Sequence, residues 1–168
     1  MREFRRSSVG TAGPTLPMAW LPAMFGLMVI CVESTAMMRG ANTGRWLMDL
    51  CNSIWARADG STVATANLVL RKIGHFTGYG ILGLFFRRGW YASLRRRWMG
   101  TRSGLRGASM ALAVLSTFLV ASADEWHQSF LMGRVSSPYD VLLDTTGAIL
   151  FNVVLLKILA LRRARMVG

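Results

Sequence analysis

The chain has 168 residues, 52% of them hydrophobic, and carries 20 Lys and Arg residues against 8 Asp and Glu, for a net charge of +12. A basic excess of this size is typical of proteins that bind nucleic acid or an anionic membrane surface. The mean hydropathy is nevertheless +0.36, and long uncharged stretches separate the blocks of basic residues. These values exclude a disordered basic tail and an ordinary soluble enzyme, and they indicate a small polytopic membrane protein with no nucleic-acid partner.

Four stretches are candidate transmembrane helices, because each supplies about 20 mostly apolar residues, enough to cross a bilayer. They lie at about residues 16–33, 68–86, 106–123 and 141–161. We expect the first to be a retained helix rather than a signal peptide, because the segment SSVGTAGPT separates it from the basic N-terminal residues.

Three parts are predicted along the chain: a cytoplasmic tail over residues 1–15, a four-helix membrane domain over 16–161, and a basic cytoplasmic tail over 162–168. Fourteen of the 20 basic residues lie in the N-terminal tail, the second-to-third connection and the C-terminal end. Positive charge in short loops marks the cytoplasmic side of a membrane protein. If the chain has four spans and both termini are cytoplasmic, the basic residues of the N-terminal tail, of the second-to-third connection and of the C-terminal end all lie on the cytoplasmic side.

The connection between the first two spans is long enough to hold a further helix. Its apolar residues recur at helical spacing: Trp46, Leu47, Leu50, Cys51, Ile54 and Trp55. We predict an amphipathic helix over about residues 41–57, lying either on the outer membrane interface or as a lid packed over the bundle. The predicted fold class is all-α, with four transmembrane helices and this outer interfacial helix.

Polar residues interrupt the second span on one side. Lys72, His75 and Tyr79 occupy one helical face, and ionisable groups inside a span are costly enough to mark a functional candidate. Gly74 and Gly78 form a small-xxx-small pair, which predicts a close helix contact elsewhere on this span.

The outer ends of the third and fourth spans carry further polar residues. They are Asp124, Glu125, Gln128, Arg134, Asp140 and Asp144. Topology brings them to one membrane depth with Lys72 and His75. Because a helix C-terminus is partially negative, we expect Asp124 and Glu125 to need a compensating cation. Asp140 is open to two interpretations, as the partner of Ser137 in a capping box or as part of a site.

The combined pattern resembles the VanZ-like family of small bacterial membrane proteins over residues 68–150. It consists of Lys72-x-x-His75-Phe76-x-x-Tyr79, Asp124-Glu125-x-x-Gln128, Gly133-Arg134, Ser137, Asp140 and Gly147. Met132 stands where a proline is common in that family, and Asp144 stands where an asparagine is common. The resemblance implies a multi-pass protein of the bacterial cytoplasmic membrane and an association with low-level resistance to the glycopeptide teicoplanin. It implies no particular reaction.

Three functions remain open. The first is an outward-facing site that binds or processes an anionic membrane lipid or lipid-linked envelope precursor. In the second, the same residues only fix the packing of the helices, and in the third the protein is a small transporter or proton relay. The two cysteines form no disulfide framework, and no spacing resembles a metal-ligand set, so neither a metal nor a cofactor is predicted.

In the first of these functions, His75 acts as general acid or base, held by Asp124 or Glu125, and these three are the hypothetical catalytic residues. Arg71 and Lys72, at the N-terminus of the second span, would cradle a phosphate. The expected ligand contacts are Lys72, Tyr79, Gln128, Arg134, Asp140 and Asp144.

Overall fold

The computed structural model describes residues 15–54, 59–131 and 136–167, and these ranges contain helices and no strand. Five α-helices follow one another along the chain, with a single 3-10 turn at Ala36–Met38. They are α1 (Leu16–Glu33), α2 (Gly40–Ile54), α3 (Gly60–Leu94), α4 (Arg102–Ser129) and α5 (Pro138–Val167). The all-α prediction is confirmed.

Three of the helices are long and apolar enough to cross a membrane, namely α1, α4 and the Pro138–Met166 part of α5. The longest helix, α3, is not among them. Charged pairs at residues 71–72 and 87–88 interrupt its apolar sequence. The predicted count of four spans is therefore not confirmed, and a crossing by α3 stays a prediction.

The first helix has the predicted bounds, whereas α3, α4 and α5 extend beyond the predicted spans, and side-chain caps mark where α3 and α4 begin. The carboxylate of Asp59 accepts the backbone N–H of Thr62 at 2.9 Å, so α3 begins at Gly60 rather than near residue 68. The hydroxyl of Thr101 accepts the N–H of Gly104 at 3.1 Å at the start of α4.

Because α3 begins so early, Arg71 and Lys72 lie about three turns inside it. The prediction that they sit at a helix N-terminus and share its dipole is wrong. At the other end of the chain, α5 continues through most of the predicted basic tail and ends at Val167.

The central helix is α3, which packs against each of the other four helices. It runs antiparallel to α1 and α4 and parallel to α5. The pairs that show these directions are Trp20–Ser93 and Gly26–Leu82 for α1, Trp90–Ser116 and Tyr79–Asp124 for α4, and Lys72–Asp140 and Gly83–Ala148 for α5. The start of α5 therefore lies beside the end of α4.

Glycines allow α3 and α5 to approach closely, but they are not the glycines predicted from the sequence. A Cβ atom on Gly147 would lie 2.3 Å from the carbonyl oxygen of Phe76, and one on Gly83 would lie 2.8 Å from the Cβ of α5's Ala148. Gly74 and Gly78 face open space, with nothing within 4 Å of an added Cβ. The predicted contact through that pair is therefore wrong.

The amphipathic helix α2 packs against α3 and the preceding 3-10 turn. The side-chain amide of Asn67 on α3 donates to the carbonyl oxygen of Gly40 at 3.0 Å. The apolar stripe of α2 stays uncovered, since Trp46, Leu50 and Ile54 are each more than half exposed. An uncovered apolar stripe favours the interfacial interpretation over a lid packed on the bundle. Residue 55, the last of the predicted stripe, lies outside the described residues.

Candidate functional site

The predicted site residues separate into two groups in the structure. One group lines a cavity, and the other forms contacts in the interior of the bundle. Arg134 lies outside the described residues.

A cavity of about 340 Å³ opens among α2, α3, α4 and α5. Six of the residues predicted for the site line it: Arg71, Lys72, His75, Glu125, Gln128 and Asp140. The rest of its wall is formed by Gly40, Ala64, Asn67, Leu68 and Leu143. Within the described ranges, the structure contains no group of three or more His, Cys, Asp or Glu side chains that could hold a metal ion.

Lys72 and Asp140, which both line the cavity, form an ion pair with Nζ 2.6 Å from Oδ1. The pair is partly exposed, so it contributes little to stability and either group can take a ligand as a new partner. Asp140 does not complete the predicted capping box, because the backbone N–H of Ser137 donates to Glu125 instead. Its carboxylate belongs to the cavity.

Glu125 connects α4 to the start of α5. Its Oε2 accepts the backbone N–H of Ser137 at 2.9 Å, and a carboxylate is favourable at the N-terminus of a helix. Within the described residues, the partner of Glu125 is therefore a backbone donor rather than the predicted cation.

His75 is paired with Asp144, whereas the sequence predicted Asp124 or Glu125 as its partner. The distance from Nδ1 to Oδ2 is 3.4 Å, and Asp144 is 1% exposed. A carboxylate facing Nδ1 favours the tautomer with its proton there, which leaves Nε2 as the basic nitrogen. Since His75 also lines the cavity, the pair can exchange a proton with a molecule bound there.

Asp124 is the centre of a buried hydrogen-bond network and does not line the cavity. Its carboxylate accepts the hydroxyl of Ser34, the hydroxyl of Tyr79 at 2.9 Å and the side-chain amide of Gln128 at 2.9 Å. These donors join α1, α3 and α4. They also explain why Asp124 needs no cation, since three neutral donors share its charge. The expected cation is absent among its hydrogen-bond partners in the described residues.

Two residues that contact the site, Asn67 and Ser34, were not predicted for it from the sequence. Asn67 stands at i, i+4 and i+8 with Arg71 and His75, so a helix extended by one residue beyond the predicted start would have placed it on the same face. Ser34 follows the last residue of α1, and only the packing of α1 and α4 against α3 brings it to Asp124.

A family model described as VanZ/LLP1 matches residues 18–160 of the chain. The matched range includes both groups of site residues and reaches into all five helices. No curated protein and no solved structure matches the chain.

Proposed function

Because the chain belongs to the VanZ/LLP1 family, we propose that it is a four-span protein of the bacterial cytoplasmic membrane whose cavity binds an anionic envelope lipid or lipid-linked precursor. The observation that carries this proposal is the polar cavity of about 340 Å³, with Arg71, Lys72 and His75 along one wall. In this arrangement both termini lie in the cytoplasm and the cavity opens outward.

The exposed surface of α3 supports a fourth crossing. Ile73 and Ile81 on α3 are exposed, as are Leu119 on α4 and Leu150 on α5. Exposed apolar side chains on each of three helices that pack together are unusual for a protein in water and suit contact with lipid. Between Ile73 and Ile81, the only Asp, Glu, Lys, Arg or His residue of α3 is His75. Its side chain lines the cavity and contacts Asp144.

The distribution of charge in the cavity favours an anionic head group. Neither salt bridge found in the described residues involves Arg71, whose guanidinium donates to the backbone carbonyl of Met38 at 3.4 Å. A guanidinium can bind a phosphate through two parallel hydrogen bonds. Arg71 would therefore be the first residue to bind a phosphate. Lys72 would be the second, after its ion pair with Asp140 breaks and the phosphate takes the place of the carboxylate.

A second candidate function is acid–base catalysis on the bound head group, and the pairing of His75 with Asp144 favours it. In this case His75 is the catalytic group and Asp144 is a positioning residue. A purely structural role suits the Asp124 network better than the cavity. A proton relay across the membrane is not favoured, because between His75 and Arg87 the only ionisable side chain of α3 is Tyr79.

Equilibrium binding of radiolabelled polyprenyl diphosphate to the purified full-length protein in neutral detergent tests the proposal. Arg71→Gln and Lys72→Gln should each weaken binding about tenfold, the usual effect of losing a hydrogen bond to a charged group. The matched control is Arg45→Gln on α2, because Arg45 is exposed and outside the cavity wall. Equal affinity in all four proteins would contradict the proposed site.

Analysis of the recovered lipid by mass spectrometry separates binding from catalysis. A changed product that disappears in His75→Ala and Asp144→Asn, with binding retained, would establish acid–base catalysis. Unchanged lipid would leave a binding function. In cells, the cavity variants should also lose any change in teicoplanin sensitivity that the wild-type protein confers at equal abundance.

A further inference from the structure

A second cavity, of about 390 Å³, lies at the opposite end of the bundle, where α1, α3, α4 and α5 meet. Part of its wall is apolar and is formed by Ala19, Leu84, Ala92, Leu155 and Leu159. Four arginines also line it: Arg87, Arg88, Arg95 and Arg106. Among the described residues, no acidic side chain lines this cavity, so its charge is strongly positive.

Arg87 is the least accessible of these arginines, with 7% of its surface exposed. Its Nε has no hydrogen-bond partner within the described residues, and neither of the salt bridges found there includes it. Removing a cation from water is costly unless an anion or hydrogen-bond acceptors replace the lost hydration. Arg106, on the neighbouring helix, adds a like charge to the same cavity. The part of the chain that the structure describes therefore supplies no anion to these arginines.

We propose that this second cavity binds the phosphate of an anionic phospholipid from the leaflet opposite to the one faced by the first cavity. The phosphate oxygens would take the donors of Arg87 and Arg106, and the glycerol and acyl groups would lie along Leu155 and Leu159. Basic pockets between transmembrane helices on the cytoplasmic side are suited to such head groups. The apolar wall favours a lipid over inorganic phosphate, which has no apolar part to place against it.

Melting of the full-length protein in neutral detergent, with phosphatidylglycerol or phosphatidylcholine added, tests this site. Phosphatidylglycerol should raise the Tm of the wild-type protein by several degrees at saturation, because a ligand that binds only the folded state stabilises it. Phosphatidylcholine should not. Arg87→Gln should melt no lower than wild type without lipid, since it removes a buried charge to which the described residues offer no partner, and it should lose the response to phosphatidylglycerol.

Arg106→Gln is the second test variant, and Arg102→Gln is its matched control. The two arginines are one turn apart on α4, but Arg102 is exposed and does not line the cavity. Arg106→Gln should weaken the phosphatidylglycerol response about tenfold in midpoint concentration, and Arg102→Gln should leave it unchanged. Equal responses in Arg87→Gln, Arg106→Gln and wild type would overturn the proposal. An equal rise in Tm with inorganic phosphate alone would overturn the assignment to a lipid.

Discussion

At the scale of single residues, the structure separates two roles that the sequence had combined. Asp124 and Asp140 were both placed in one polar site, but Asp124 is 9% exposed and accepts three hydrogen bonds. Asp140 makes a partly exposed ion pair with Lys72 at the cavity. A carboxylate that is enclosed by donors serves packing, whereas one at a cavity wall is available to a ligand.

Replacing Asp124 should therefore destabilise the protein far more than replacing Asp140. Asp124→Ala leaves the donors of Ser34, Tyr79 and Gln128 without their acceptor, a loss on the order of 2–4 kcal/mol. Asp140→Ala should cost no more than about 1 kcal/mol, as expected for an exposed ion pair. Thermal melting of both variants in one detergent gives the comparison, and similar Tm values would contradict the division of roles.

The cap at the start of α3 gives a prediction in pH. Hydrogen bonds from Ser61 and Thr62 lower the pKa of Asp59 from 3.8 to about 2. A depressed pKa in the folded state means that this contribution to stability is complete above the ordinary pKa and is lost as the pH falls through about 2. The difference in Tm between wild type and Asp59→Ala should accordingly be constant near neutral pH and shrink as the pH falls from 3.8 toward 2.

Asp49→Ala is the control for this measurement, because Asp49 is an exposed carboxylate in the middle of α2 and caps no helix. The difference in Tm between wild type and Asp49→Ala should not shrink as the pH falls toward 2. A wild-type advantage over Asp59→Ala that persists undiminished at pH 2 would mean that the carboxylate charge does not hold the cap.

At the scale of helices, the sequence was sufficient to predict that the segments are helical and which residues share a helical face. It was not sufficient to predict where α3, α4 and α5 begin and end, or how the helices are aligned against one another. Apolar runs and the common face of Lys72, His75 and Tyr79 follow from helical periodicity. The early start of α3 depends on Asp59 in a polar segment that gives no periodic signal. The partner of His75 depends on how α5 is rotated against α3. This rotation is set by contacts between the two helices, so it could not be predicted from the sequence of either helix alone.

The rotation of α5 against α3 is fixed by the contact of Gly147 with the backbone at Phe76. We therefore expect alanine to be far more destabilising at Gly147 than at a glycine that faces open space. Gly147→Ala should separate α3 from α5, because its Cβ would lie 2.3 Å from a carbonyl oxygen that cannot move aside. We expect a loss of about 2 kcal/mol or more, within the range for overpacking a core. The variant should also weaken lipid binding at the first cavity, whose walls include both helices.

Gly78→Ala is the matched control on α3. Its Cβ would face open space, and alanine is favoured over glycine inside a helix by up to about 1 kcal/mol. Its Tm should thus equal or exceed that of wild type. A larger loss in Gly78→Ala than in Gly147→Ala would contradict the packing of α3 against α5.

At the scale of the whole molecule, the charges and the helix directions are both compatible with the proposed arrangement in the membrane. The parallel run of α3 and α5 places the basic ends of both helices together, beside the start of α4 with Arg102 and Arg106. Exposed aromatic residues, Trp126 and Tyr139, lie toward the opposite end. Trp and Tyr are enriched at both interfaces of a membrane protein, whereas Lys and Arg concentrate on the cytoplasmic side, so this distribution suits a protein that crosses the membrane with its basic end in the cytoplasm. The crossing of α3 is the step on which this arrangement depends.

Cysteine labelling on either side of α3 tests that step directly. In a chain with Cys31 and Cys51 replaced by alanine, Asp49→Cys precedes α3 and Arg95→Cys follows it, and both positions are exposed. A membrane-impermeant maleimide applied to intact spheroplasts should label position 49 and should reach position 95 only after permeabilisation. Labelling of both positions from outside would mean that α3 does not cross. Labelling of position 95 alone would reverse the orientation and place the first cavity on the cytoplasmic side, where an extracytoplasmic envelope precursor could not enter it.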